Sequence, residues 1–195
     1  MGALRKWSNQ AGQFRASFTT GLITTIASGG LLAAFRHTSA AYVSMIQRVK
    51  MRWITTTAFT VAQELQFGCY RASTYTADVS GGTVISVANP RLKKFSGLAA
   101  SQVADFRVAT TVALTVGTHT LDTIPMVNLM GWSQASATEP NSFETTAEAT
   151  AGTTQLFAVQ FSSVTSSEGW LIRNDVLMGA AGVGRLLVEV DWVEA

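Results

Sequence analysis

Beyond its many hydroxyls and a dozen carboxylates, this 195-residue chain has little with which to do nucleophilic, acid–base or metal chemistry: two histidines, His37 and His119, and one cysteine, Cys69. A metal centre needs several His, Cys or carboxylate side chains converging on one ion, and the two histidines lie in different regions of the sequence. His119 and Asp122 bracket a Thr-Leu pair, so a Ser/His/Asp set can be written down, but a triad is defined by geometry that spacing does not supply. The run from Gly179 to Arg185 has the glycines of a phosphate-binding loop without its Lys and Ser/Thr, and a strand pattern follows where a helix should begin. Its small residues instead suit close approach of two strands or subunits. These readings assign no catalytic residue, no metal ligand and no cofactor.

Two groups of residues suit binding rather than reaction. Of the five tryptophans, Trp53, Trp170 and Trp192 fit strand patterns and are expected in the core. Trp7 and Trp132 stand outside such patterns and are candidates for contact with something external. Phe14, Phe18, Leu22 and Ile26 recur every fourth residue. That spacing would line one side of a helix, but the Thr pairs between them and Gly21 oppose helix formation, and an extended arm fits equally. These apolar groups need a surface to cover, either their own domain or a neighbouring subunit. Together with Phe143 they complete the set of candidate protein-interface residues.

The elements that must position these groups are strands. After Val43 the odd positions Met45, Val49, Met51 and Trp53 are apolar, and Ser44, Arg48, Lys50 and Arg52 are polar. A period of two is that of a strand with one buried and one wet face. The odd phase resumes at Phe59, Val61, Leu65 and Phe67, so two long strands of one sheet are expected between Tyr42 and Tyr70. Further strands are expected at Leu31–Arg36, at Phe106–Leu114, at Leu156–Phe161, at Gly169–Arg173 and at Arg185–Val193. In the last of these Leu186, Val188, Val190 and Trp192 face inward. One helical turn is expected at Ala99–Asp105, and Pro125 makes the stretch His119–Trp132 an edge strand or an irregular crossing. The stretch 133–154, rich in Ser, Ala, Thr and Glu, reads as a long exposed loop. The fold class is all-β, an antiparallel two-sheet sandwich of seven to nine strands with the jelly roll as first choice. An N-terminal arm occupies residues 1–30, and the sandwich residues 31–195.

Composition narrows the function classes. Charged residues make up 13% of the chain and are outnumbered by Ser and Thr, so the surface is polar but weakly charged, as suits a protein covered by neighbours. A net charge of +2 with one local basic cluster, Arg91, Lys93 and Lys94, gives no footprint for direct nucleic-acid binding. Residues 16–35 lack charge, yet their hydroxyls and glycines argue against a membrane span or a targeting signal. A lone cysteine excludes a disulfide scaffold.

Short phrases along the chain carry one further pointer. They are Leu32–Arg36, Arg48-Val49-Lys50, Thr55–Thr60, Tyr70-Arg71-Ala72, Thr76–Thr83, Arg107–Thr111, Gly117–Asp122 and Ile172-Arg173-Asn174. In these the sequence resembles small structural proteins of tailed bacteriophages, over most of its length after residue 30. The resemblance implies a virion component without enzymatic activity. It would be a capsid decoration or cement protein on a jelly-roll scaffold, a homo-oligomer, most often a trimer, seated on the major capsid protein or other virion proteins. The alternative is a tail or head-fibre module that recognises a host glycan. No functional residue set transfers with the resemblance, since such proteins work through extended interfaces.

Overall fold

The computed structural model describes residues 12–37, 43–75, 80–86, 103–115, 117–133, 142–149, 156–159 and 167–194. They form thirteen strands and no helix: β1 (Gly12–Thr19), β2 (Ile23–Thr24), β3 (Leu31–His37), β4 (Ser44–Thr57), β5 (Gln63–Tyr75), β6 (Thr83–Val84), β7 (Val103–Val108), β8 (Thr120–Leu121), β9 (Val127–Ser133), β10 (Ser142–Glu148), β11 (Phe157–Val159), β12 (Ser167–Asn174) and β13 (Val183–Glu194). The first sheet runs β1-β13-β4-β10, with β2 also on β13 and β11 also on β4. The second runs β6-β7-β3-β12-β5-β8, with β9 also on β5. All strand pairs are antiparallel, and the two sheets make a sandwich, the expected class. Four pairings nest inside one another along the chain: β1 with β13, β3 with β12, β4 with β10, and β5 with β9. Nested pairs of this kind are what a rolled-up four-pair hairpin requires, with successive strands alternating between sheets.

Aromatic rings from both sheets fill the space between them. Phe35 stacks on Trp170 at 5.2 Å and meets the edge of Trp192 from the opposite sheet at 5.9 Å. Phe14 stacks on Trp192 at 5.4 Å, and Trp53 joins Phe67 across the sandwich at 4.9 Å. Burying each such ring contributes about 1.5–3 kcal/mol; Phe35–Trp192 and Trp53–Phe67 join the two sheets, while the two stacks Phe35–Trp170 and Phe14–Trp192 lie within one sheet each. Trp53, Trp170 and Trp192 are core residues, as the strand patterns predict.

Several expectations need correction. β4 and β5 belong to different sheets, because residues 58–62 carry the chain from one layer to the other; periodicity gives a strand its two faces but not its sheet. The apolar phase within β4 also changes. Ile46 and then Val49, Met51 and Trp53 are buried, whereas Met45 is only half-buried. The cause is a bulge at Gln47, where consecutive β13 residues Asp191 and Trp192 face Arg48 and Ile46. Residues 12–30 are no separate arm: β1 pairs along its whole length with β13, and Phe14 and Ile26 are buried by their own domain. Residues 1–11 lie outside the described residues. The stretch 133–154 contains β10, which lies along β4 from Ile54 to Arg48; the rest of that stretch is described only at Ser133 and Ala149. β7 ends at Val108 and Leu114 makes an isolated bridge to Leu31, while residues 103–105, expected in a helical turn, begin β7. No helix among the described residues is long and apolar enough to cross a membrane.

Candidate functional site

The reactive residues singled out by the sequence are each occupied separately. His37 is buried at the end of β3, its Nδ1 2.8 Å from the Ser44 hydroxyl. His119 Nδ1 lies 2.8 Å from the Gly117 carbonyl, its ring lies against Tyr75, and no hydrogen bond joins it to Asp122. The Cys69 thiol is fully buried, and burial pushes its pKa up to about 12, the reverse of an activated nucleophile. Among the described residues no three His, Cys, Asp or Glu are grouped as metal ligands would be. Gly184 opens β13 against the Trp53 ring, where an added Cβ would come within 2.2 Å, so the glycine run serves packing. Arg91, Lys93 and Lys94 lie outside the described residues.

Buried polar side chains gather where β3, β5 and β13 end and β4 and β12 begin. There Arg71 donates to Glu168, the Trp192 indole to Glu194 at 3.1 Å, and the Ser167 hydroxyl to the Tyr75 carbonyl at 3.0 Å. The three bonds pair these groups with one another, while the Nε of Arg71, buried at the same end, makes no hydrogen bond. They close one end of the sandwich.

The outer face of the first sheet is a ladder of charges. Register places Arg15, Asp191, Arg48 and Glu148 in one row across β1, β13, β4 and β10; Ser17, Glu189, Lys50 and Thr146 in the next; and Thr19, Leu187, Arg52 and Glu144 in the third. Arg15 grips Asp191 with two bonds of 2.6 and 2.8 Å, and that hydrogen bond raises the pKa of the guanidinium. Arg48 reaches Glu189 at 3.2 Å and Lys50 reaches Glu144 at 3.3 Å. Arg52 forms no ion pair and makes only a 3.3 Å bond to the Ser142 hydroxyl. A dent of about 100 Å³ in this face has Leu187 among its walls, with Ser17, Lys50, Arg52 and Glu189 around it.

The outer surface of the second sheet differs where β5 meets the edge strand β9. Trp132 is 61% exposed and Met130 56%, two residues apart and hence on the same side of β9. Gly131 between them faces the other way, against the Phe143 ring of β10, where an added Cβ would lie 2.3 Å from the ring. Directly across from Trp132 stands Glu64, and across from Met130 stands Gln66; neither side chain makes a hydrogen bond or ion pair. The segment after β12, tied to β5 by the Asp175 amide to the Gln66 carbonyl and the Gly179 amide to Gln63 Oε1, carries exposed Leu177. Exposed Val61 precedes β5.

Of the interface candidates, Trp132 is therefore exposed on this surface and Leu22 is exposed after β1. Phe18 is half-buried against the edge of Phe106, Phe143 is half-buried beneath Gly131, and Phe14 and Ile26 are inside. Trp7 lies outside the described residues. Met130, Glu64 and Gln66 complete the surface and were not among the candidates. Met130 could have been found from its two-residue step to Trp132, whereas Glu64 and Gln66 join only through the β5–β9 register. Comparison with family models, with curated proteins and with solved structures finds no match to this chain.

Proposed function

We propose that this chain is a structural protein without enzymatic activity that works by being covered by protein neighbours, of the capsid decoration or cement kind. It would attach to a major capsid lattice at the virion surface and stabilise the head. The observation that supports this best is the strip of Trp132 and Met130 on β9, flanked by hydrogen-bonding groups that have no partner. Contiguous exposed apolar side chains with a polar rim are what a protein-binding surface presents, and an exposed Trp is the commonest kind of anchor. Attachment repeated over a symmetric shell multiplies individually modest contacts. The phage-like phrases of the sequence point to such a shell. The test is co-sedimentation of the purified chain with empty shells assembled from phage major capsid proteins. The expected result is saturable binding in a fixed ratio, lost on Trp132→Ser, and no binding at any ratio overturns the proposal.

A second reading, a tail or head-fibre module that recognises a glycan, draws on the same indole. A flat exposed ring beside a carboxylate and an amide can stack on a sugar face and accept its hydroxyl protons. Retention on a glycan array by the wild-type chain and its loss in the Trp132→Ser variant would favour that reading; an array without hits removes it.

A further inference from the structure

Two places on the outside of this sandwich complement each other. On the β5–β9 surface a cross-strand pair, Trp132 and Glu64, offers an exposed indole beside a carboxylate with no partner. On the first sheet another cross-strand pair, Leu187 and Arg52, gives the dent an apolar wall beside a cation in no ion pair. Directly opposed residues of an antiparallel pair have their Cβ atoms about 4.5–5.5 Å apart, so the two pairs are of comparable width. Around Arg52 the other charges are taken, Lys50 by Glu144 and Glu189 by Arg48. Glu64 takes no part in the ion pairs that engage Glu144, Glu168, Asp175, Glu189 and Asp191.

We infer that a second copy of this chain is the partner: Trp132 of one copy enters the dent of the next, the indole against Leu187 and Arg52, and the Glu64 carboxylate on the Arg52 guanidinium. Arg is the cation best suited to lie on an indole face and pair with a carboxylate at once. Arg185, two residues before Leu187 on the same side of β13 and without any partner, adds a second positive charge to the receiving surface. Because the two surfaces differ, the contact is heterologous. Copies join head to tail, and the set closes as a ring or grows as a filament according to the rotation between them. A standard interface of about 800 Å² per partner would take less than a tenth of the 9827 Å² surface, leaving room for a shell on other faces. This deepens the assembly reading by naming the first neighbour, and it rests on that reading in treating the β9 surface as an interface.

The experiment is sedimentation of the full chain alone, over a wide concentration range, with no shell present. The wild-type chain should pass from monomer to a larger species as concentration rises, and Trp132→Ser should weaken association by about tenfold or more. Glu64→Arg and Arg52→Glu should each weaken it, and the double variant should recover most of the loss, which a merely structural role for either residue would not produce. Melting curves of all variants close to the wild type exclude unfolding as the cause. A strictly monomeric wild-type chain overturns the inference, as does a double variant no better than the single ones. So does Trp132→Ser associating like the wild type, or a monomer whose Trp132 binds glycan instead. A monomer that still binds shells would sink this inference and leave the earlier proposal; an assembly that ignores shells would do the opposite.

Discussion

The two outer surfaces of the sandwich treat charge in opposite ways. Across the first sheet, cations and anions alternate along the rows and most neutralise one another, with Asp191 held between Arg15 and Arg48 at the most buried point. Where β5 meets β9, by contrast, apolar side chains are exposed and the neighbouring carboxylate and amide are unmatched. Internally paired charges at a surface contribute little individually and attract little from outside. The exposed apolar side chains of β9 instead have open acceptors beside them on β5. The charged face thus satisfies most of its own side chains, whereas the β5–β9 surface, like Arg52 and Arg185 on the charged face, leaves charges outside any ion pair.

The largest effect that could break this contrast concerns β1, which carries the first column of the charge ladder. Phe14→Ala should destabilise the domain by about 3–5 kcal/mol in urea unfolding, because the ring is buried against Trp192. An unchanged midpoint would detach β1 from the sandwich and dismantle the ladder with it. Alkaline pH separates the sheets next. The folded thiol of Cys69 in the second sheet has its pKa raised from 9.0 to about 12, so above pH 9 the folded state holds a proton that the unfolded state has lost. Its contribution is complete below pH 9 and falls through the window up to pH 12, by about 4 kcal/mol in total. Tyr70, raised first by burial and then by its bond to Asp175, acts in the same direction. Unfolding free energies measured from pH 7 to pH 11 should fall, and fall less steeply in Cys69→Ala. A smaller effect is expected on the ladder itself: Asp191→Asn should cost about 1–2 kcal/mol, limited because the released Arg15 is half-exposed and returns to water. Smallest of all, Trp132→Ser should leave the melting temperature nearly unchanged, within about 0.5 kcal/mol, despite removing the largest kind of side chain. A clear loss of stability there would mean that the indole is part of the fold and not of a binding surface.

How much of this was legible depended on whether the signal was local. β13 was readable face by face, since Leu186, Val188, Val190 and Trp192 alternate with polar residues without a break. β10 was missed because its inward side chains, Phe143, Thr145 and Ala147, are mostly small or polar, as a sheet edge permits. The four-residue spacing from Phe14 to Ile26 misled for an arithmetical reason: a step of four returns to the same side of a helix and also of a strand, so the residues of β1 answered both templates. Trp132 was recognised because it flanks the stretch read as a long loop, although it ends up on β9. Its partners Glu64 and Gln66 were not, for a strand sequence does not state which strand will lie beside it. The same non-locality hid the ladder, whose four columns come from residues as far apart as Arg15 and Asp191.

The pairing of β1 with β13 has a consequence for how the molecule comes into being. Among the described residues the strand at Gly12–Thr19 pairs only with residues 187–194, so the first sheet cannot be completed until almost the whole described chain has left the ribosome. At roughly 5–20 residues per second, Phe14 and its fellow inward residues wait on the order of ten seconds or more before their cover is synthesised. During that interval the nascent chain offers an unpaired strand and exposed rings to any chaperone within reach, and closure then depends on joining distant segments, the slow class of folding reaction.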